Sequence, residues 1–146
     1  MPMTAQRVSL ITLGVADLDR SRRFYAANGW EPLPGPEEGV VFYRMHGMAL
    51  GLFGRGALAE DQGRPGTELG TGAMTLAQNF PDREGVDAAF DRALAAGATS
   101  LKRPEEVFWG GYSGYYADPD GHVWELAHNP FWTVNDEGTL TIPDPE

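Results

Sequence analysis

Short strand-like runs in this sequence are interrupted twice by stretches of helical period, and the two interruptions look alike. Residues 8–15, Val-Ser-Leu-Ile-Thr-Leu-Gly-Val, read as a strand. Asp17 then offers a side-chain oxygen to cap a helix reaching about Ala27. Asn28-Gly29 supplies its stop, because glycine takes the left-handed conformation at little cost. Pro32, Pro34 and Pro36 mark an irregular stretch. Two strands are predicted next, Gly39 to His46 and Met48 to Phe53, turning at Gly47. Residues 54–72, rich in glycine and polar side chains, read as a linker and adaptable loop. From Met74 the pattern starts again, with a strand to Phe80 and a second capping aspartate, Asp82. Val86, Ala89, Phe90, Ala93 and Leu94 then form one apolar helical face that Gly97 ends. Pro104 precedes a strand-rich segment that closes on the turn Asp118-Pro119-Asp120-Gly121 and a last strand carrying Glu125.

The order strand–helix–strands therefore occurs twice, in residues 8–53 and 73–128, with a tail over 129–146. The repeat holds in detail. Asp17 and Asp82 are as far apart as Leu10 and Thr75, and Gly47 and Gly121 as far apart as Gly51 and Glu125. Such weak internal repetition is how two-module folds show themselves.

The segments Ile11–Tyr25 and Tyr115–Leu126 resemble the glyoxalase / bleomycin-resistance / extradiol-dioxygenase group, the vicinal oxygen chelate superfamily, and the resemblance runs over roughly 8–128. It implies an α+β fold: two βαβββ modules whose sheets form a cup, within one glyoxalase-like domain over 1–146. It also implies a ligand site on the concave face, and frequent homodimers. Metal enzymes of the group place His or Glu at four strand positions. Here the matching residues are Leu10, Gly51, Thr75 and Glu125. A catalytic divalent ion needs about three imidazole, carboxylate or thiolate donors. One carboxylate with one hydroxyl falls short, so no cofactor is expected and a divalent metal is the minority reading. His46, His122 and His128 are the possible replacements, and by strand parity the last two face away from Glu125.

Composition narrows the partners. The formal charge is −10 with a pI near 4.6, and the basic residues are scattered, which argues against nucleic acid and favours a cationic or neutral ligand over an anion. There is no cysteine, hence no disulfide or thiol chemistry. Met1–Arg7 lacks the apolar stretch of a secretory signal, and no apolar run is long enough to span a bilayer, so a cytoplasmic protein is expected.

Strand alternation carries the remaining site expectations. Leu10 and Thr12 share a face, Thr75 shares one with Asn79, and these with Gly51 and Glu125 would form the cup floor. Glu125 would serve as a general base or acid, as a ligand contact, or as a structural residue that pairs with an arginine or bridges the two modules. The aromatic, glycine-laced run Phe108–Tyr116, with Phe131 and Trp132, would form a wall and lid, or else a core or interface cluster. Trp109, Tyr112, Tyr115 and Trp132 are expected in the pocket, Phe108 and Tyr116 in the core. Three functions compete: a binder that holds a small organic molecule without a metal; a lyase, isomerase or epimerase using Glu125; and an interaction module with a vestigial cup.

Overall fold

The computed structural model describes residues 5–35 and 38–144. Pro36, Met1–Thr4 and the last two residues of the tail lie outside the described residues. The first module comprises β1 (Leu10–Val15), α1 (Leu18–Ala27), β2 (Val40–Arg44) and β3 (Ala49–Gly54). A further helix, α2 (Arg55–Asp61), follows. The second module comprises β4 (Thr75–Asn79), α3 (Arg83–Ala96), β5 (Thr99–Glu106), β6 (Tyr112–Ala117) and β7 (Val123–His128). A hairpin of β8 (Thr133–Val134) and β9 (Leu140–Thr141) lies in the tail.

Local chemistry sets the helix ends. Asp17 accepts a hydrogen bond from the Arg20 N–H at 3.0 Å, and Asp82 accepts one from Gly85 at 2.7 Å, so each helix has one of its free N–H groups satisfied. Gly29 (φ 97°) and Gly97 (φ 114°) turn the chain out of α1 and α3.

The strands form two mixed sheets, ordered β1-β3-β2 and β4-β7-β6-β5, with β1 parallel to β3 and β4 parallel to β7. One face of each sheet carries the core. Leu13, Val15, Leu50, Leu52 and Tyr43 in the first module, and Tyr116, Trp124 and Leu126 in the second, pack with Phe24 and Tyr25 of α1 and Val86, Phe90 and Ala93 of α3. Alternation then puts Leu10, Thr12 and Gly51 in the first sheet, and Thr75, Glu125 and Tyr115 in the second, on the face opposite the core, the one the family resemblance makes concave.

The proline stretch read as irregular is irregular over its described part: Trp30–Gly35 stands where a fourth strand of the βαβββ pattern would pair with β2, and it makes one such bond, from Leu33 N–H to Phe42 C=O at 2.7 Å. Pro32 and Pro34 have no N–H to extend a ladder. Arg55–Asp61, expected within a loop, is helical, with Ala59 buried and Leu58 against Gly14. The tail folds back through its hairpin, held by Asn135, whose Nδ2 donates to Thr139 Oγ1 and Thr141 Oγ1 at 3.0 and 2.9 Å.

The Asp118–Gly121 turn does more than reverse the chain: it fastens the modules together. Asp120 Oδ1 accepts from the Ala16 N–H (2.8 Å) and from Arg20 (3.1 Å), and Oδ2 accepts from Ser21 Oγ (3.0 Å). Arg55 approaches the same carboxylate at 3.4 Å, and the Asp120 side chain is 0 % exposed. Asp118 accepts from the Tyr25 hydroxyl at 2.6 Å and from the N–H groups of Asp120 and His122. Trp124 Nε1 donates to the same Tyr25 hydroxyl at 3.1 Å.

Candidate functional site on the concave face

The concave face has an apolar floor with one acidic point. In the first module Gly51 lies between Thr12 and Phe42 on the neighbouring strands. A β-carbon added at Gly51 would sit 3.1 Å from Phe42 Cε1 and 3.3 Å from Thr12 Oγ1. The edge of the Phe42 ring thus crowds the place of a β-carbon at Gly51, and a side chain there would require the ring to give by a few tenths of an ångström. Leu10, 45 % exposed, and Thr75 lie open on the same face.

In the second module Glu125 is half-buried, flanked by Ala77 on β4 and Tyr115 on β6. Burial pushes the Tyr115 phenol above its ordinary range, and the adjacent Glu125 adds to the shift. The phenol therefore stays protonated through the neutral range and is able to donate a hydrogen bond beside a carboxylate.

A cavity of about 360 Å³ opens where the two sheets meet, lined by Thr12, Gly14, Val123 and His122 and roofed by Leu58 of α2 and the segment Leu69–Met74. Its volume suits a small organic molecule. Thr12 alone of the sequence-predicted site residues lines it. Thr75 and Asn79 line a different cavity.

The aromatic expectations divide. Tyr112 does not face the cup. Its hydroxyl donates to Asp87 of α3 at 2.7 Å, a bond that raises the phenol, and the Arg83 guanidinium lies 5.0 Å from its ring centroid. The reason is parity: Tyr112 shares the core-side face with Tyr116, and Tyr115 alone points the other way. Trp109 folds its ring onto Gly111 in the β5–β6 loop, and Trp132 follows β7; neither lines either cavity. Phe108, expected in the core, is fully exposed, because it sits at the tip of the tight loop that Val107 and Gly111 close. Tyr116 is buried as expected.

The donor set does not fit a divalent ion. Among the described residues no three His, Asp or Glu side chains come close enough to share one. Two of the three histidines are hydrogen-bonded elsewhere, and the third is exposed beside the tail hairpin. His122 Nε2 donates to the Gly14 carbonyl at 2.7 Å, His128 Nδ1 donates to the Phe80 carbonyl at 3.0 Å, and the His46 ring lies against Gly138.

Sequence reasoning did not single out Phe42, and it read Asp120 only as a turn residue and His122 only as a possible metal ligand. Phe42 was within reach: a hairpin turning between Met45 and Met48 places it opposite Gly51. For the contacts of Asp120 and His122, which join segments about a hundred residues apart, the chain carries no local signal.

Comparison with known proteins agrees with this architecture. The sequence model of the Glyoxalase/Bleomycin resistance protein/Dioxygenase superfamily matches residues 7–126. A crystal structure described as a glyoxalase-related enzyme from Fulvimarina pelagi is 39% identical, with a TM-score of 0.87, over 96% of this chain and 100% of that one. A lactoylglutathione lyase from Agrobacterium tumefaciens shares the fold at 23% identity, with a TM-score of 0.66, over 88% of this chain and 98% of that one. An uncharacterized protein of Mycobacterium bovis is 45% identical over 69 residues, 47% of this chain and 43% of the relative. The chain thus spans less than half the length of the curated relatives it matches.

Proposed function

This chain belongs to the glyoxalase/bleomycin resistance protein/dioxygenase superfamily, and we propose that it binds a small organic molecule on its concave face without recruiting a divalent metal. The observation that carries this reading is the donor set: Gly51 has no side chain, the Phe42 ring crowds the place of its β-carbon, and among the described residues no three His, Asp or Glu side chains gather. What remains is a floor of Leu10, Thr12, Gly51, Thr75 and Ala77, and one carboxylate, Glu125, beside a protonated phenol. That floor suits a flat or apolar molecule, and Glu125 would accept a hydrogen bond from its amine or hydroxyl. The net charge of −10 favours a cationic or neutral ligand.

Elemental analysis of tag-free protein, with melting curves in Zn, Ni, Mn, Fe(II) and Mg, tests the metal half of the proposal. No stoichiometric metal and no saturating rise in Tm are expected; one ion per chain would overturn it. A screen of flat organic amines and neutral aromatics, read by thermal shift against wild type and Glu125→Gln, tests the binding half. Hits that weaken about tenfold or more in the variant support it. A screen in which every hit ignores Glu125 removes this carboxylate from the site.

A second reading rests on the Glu125–Tyr115 pair. Glu125 would take a proton next to a carbonyl while the Tyr115 hydroxyl donates to the developing oxyanion, which is lyase, isomerase or epimerase chemistry. The relative from Fulvimarina pelagi, described as an enzyme, keeps this reading in view. It predicts that Glu125→Gln abolishes turnover while Tm holds.

We further propose a cytoplasmic homodimer. Phe108, Phe131 and Trp132 leave apolar area exposed that a second copy would cover, and no described helix is long and apolar enough to cross a membrane. Light scattering on wild type and on Phe108→Asp/Phe131→Asp distinguishes the cases: dimer to monomer is expected, and a wild-type monomer refutes it.

A further inference from the structure

A second cavity, of about 680 Å³, lies between the start of β1 and the end of β4; it borders the concave-face floor at Thr75 and Ala77 but is not lined by Glu125 or Tyr115. Its deep wall is apolar: Ile11, Leu50, Trp30 and Trp124, the two indoles 5.4 Å apart in an edge-on pair. Its roof is the β8–β9 hairpin, through Val134 and Leu140, with His46 seated against Gly138 at the rim. Among the described residues no Asp, Glu, Lys or Arg lines it.

The third wall is the free edge of β4. In a parallel pair, a residue's N–H and C=O point toward the same neighbour. The Phe80 N–H donates to Ala127 C=O at 2.8 Å. By alternation the peptide groups of Leu76 and Gln78 also face β7, and those of Thr75, Ala77 and Asn79 face the cavity. Among the described residues β4 pairs with β7 alone, and these outward groups have no partner. An edge of unpaired donors and acceptors beside an apolar pocket is a binding surface that lacks its second half.

We propose that this cavity is a second small-molecule site, selective for a neutral, flat, mostly apolar molecule carrying an amide-like edge: an amide, lactam or urea. The apolar body would lie against Trp30 and Trp124. The N–H and C=O of the ligand would pair with the Ala77 and Asn79 peptide groups as a neighbouring strand does. An ionised ligand would lose its hydration with no countercharge in the wall, so neutrality is part of the recognition. The hairpin built on Asn135 is the roof that holds the ligand in.

The test uses 2-quinolone, acetanilide and phenylurea as probes, with benzoate and benzyltrimethylammonium as charged controls, on the full chain by amide and indole NMR. For at least one neutral probe, saturating shifts are expected at the Ala77 and Asn79 amides and the Trp30 and Trp124 indoles, with none from the controls. Val134→Trp, which fills the cavity from the roof and leaves the core untouched, should weaken binding by about tenfold or more. Glu125→Gln should leave it unchanged. The inference is overturned if no neutral probe saturates by about 5 mM, a concentration that fragment-sized ligands reach. It is equally overturned if the shifts map to Thr12, Val123 and Tyr115, or if Glu125→Gln abolishes them; both would place the probe on the concave face and leave the proposed function standing. Wild-type mapping decides the question even if Val134→Trp does not fold.

Discussion

At the scale of single residues, the first module's part of this face turns on one close contact. Gly51 has no side chain, and the Phe42 ring stands 3.1 Å from where its β-carbon would be. The two should therefore be coupled. Gly51→Ala crowds the Phe42 ring in the wild type, whereas in a Phe42→Ala background the same methyl meets open space on that side. A double-mutant cycle in urea should show the methyl tolerated better, by about 1 kcal/mol, when Phe42 is gone. Additive effects would mean that the ring does not hold this space. Half of this pair was visible in the sequence. Gly51 stood out by position, but Phe42 needs the hairpin register, which a pattern of apolar residues states only to within a residue or two. The tyrosines teach the same lesson. Tyr112, Tyr115 and Tyr116 look equivalent as aromatic residues, yet a face is fixed for all three once Tyr116 is in the core.

At the scale of elements, β5 is where local sequence and observed structure pull hardest against each other. It is an edge strand, nearly all exposed, carrying Lys102, Arg103, Glu105 and Glu106 and interrupted by Pro104. Charge and proline on an edge discourage pairing with another chain. Its register slips twice against β6, and the slipped backbone crosses directly over Gly114. A β-carbon there would lie 2.7 Å from Pro104 N and 2.9 Å from Lys102 O, both backbone atoms that cannot rotate away. Gly114→Ala should cost about 1–3 kcal/mol in urea unfolding, where Gly56→Ala, with nothing near its added carbon, should cost little or nothing. Equal effects would show that β5 shifts freely. The helices α1 and α3 were legible because caps, period and stop agree in each. The helix α2 was not: seven residues give too few turns for a period, Gly54 supplies no side-chain cap, and its burial comes from tertiary contact with Gly14.

At the scale of the whole molecule, two modules that repeat in sequence are joined by contacts that the repeat does not encode. Asp120→Ala would strand the Ala16 N–H and Ser21 hydroxyl and release Arg20 and Arg55, which are exposed enough to find water. A loss of about 3 kcal/mol is expected by urea unfolding, and a change under 1 kcal/mol would demote the turn to a simple reversal. The same junction buries tyrosines, and that fixes how stability must respond to alkali. Burial raises the Tyr25 and Tyr116 phenols above their ordinary value near 10, and the charge of Asp118 raises both further. Below pH ~10 both are protonated whether the chain is folded or not, and their contribution is complete. Above it the unfolded chain ionises while the folded one resists, so stability falls as pH rises, by about 1.4 kcal/mol per pH unit for each such phenol. Tyr116 isolates the effect, because its hydroxyl is buried with no hydrogen-bond partner among the described residues. Tyr116→Phe should change stability at pH 7 by less than about 1 kcal/mol, since it removes an unpaired polar atom and keeps the ring. Between pH 10 and 11 its stability should fall less steeply than that of wild type, by about 1.4 kcal/mol per unit. Parallel slopes for the two proteins in urea titrations at pH 7, 10 and 11 would mean that this phenol ionises as readily folded as unfolded, and that the seal between the two modules admits water at Tyr116.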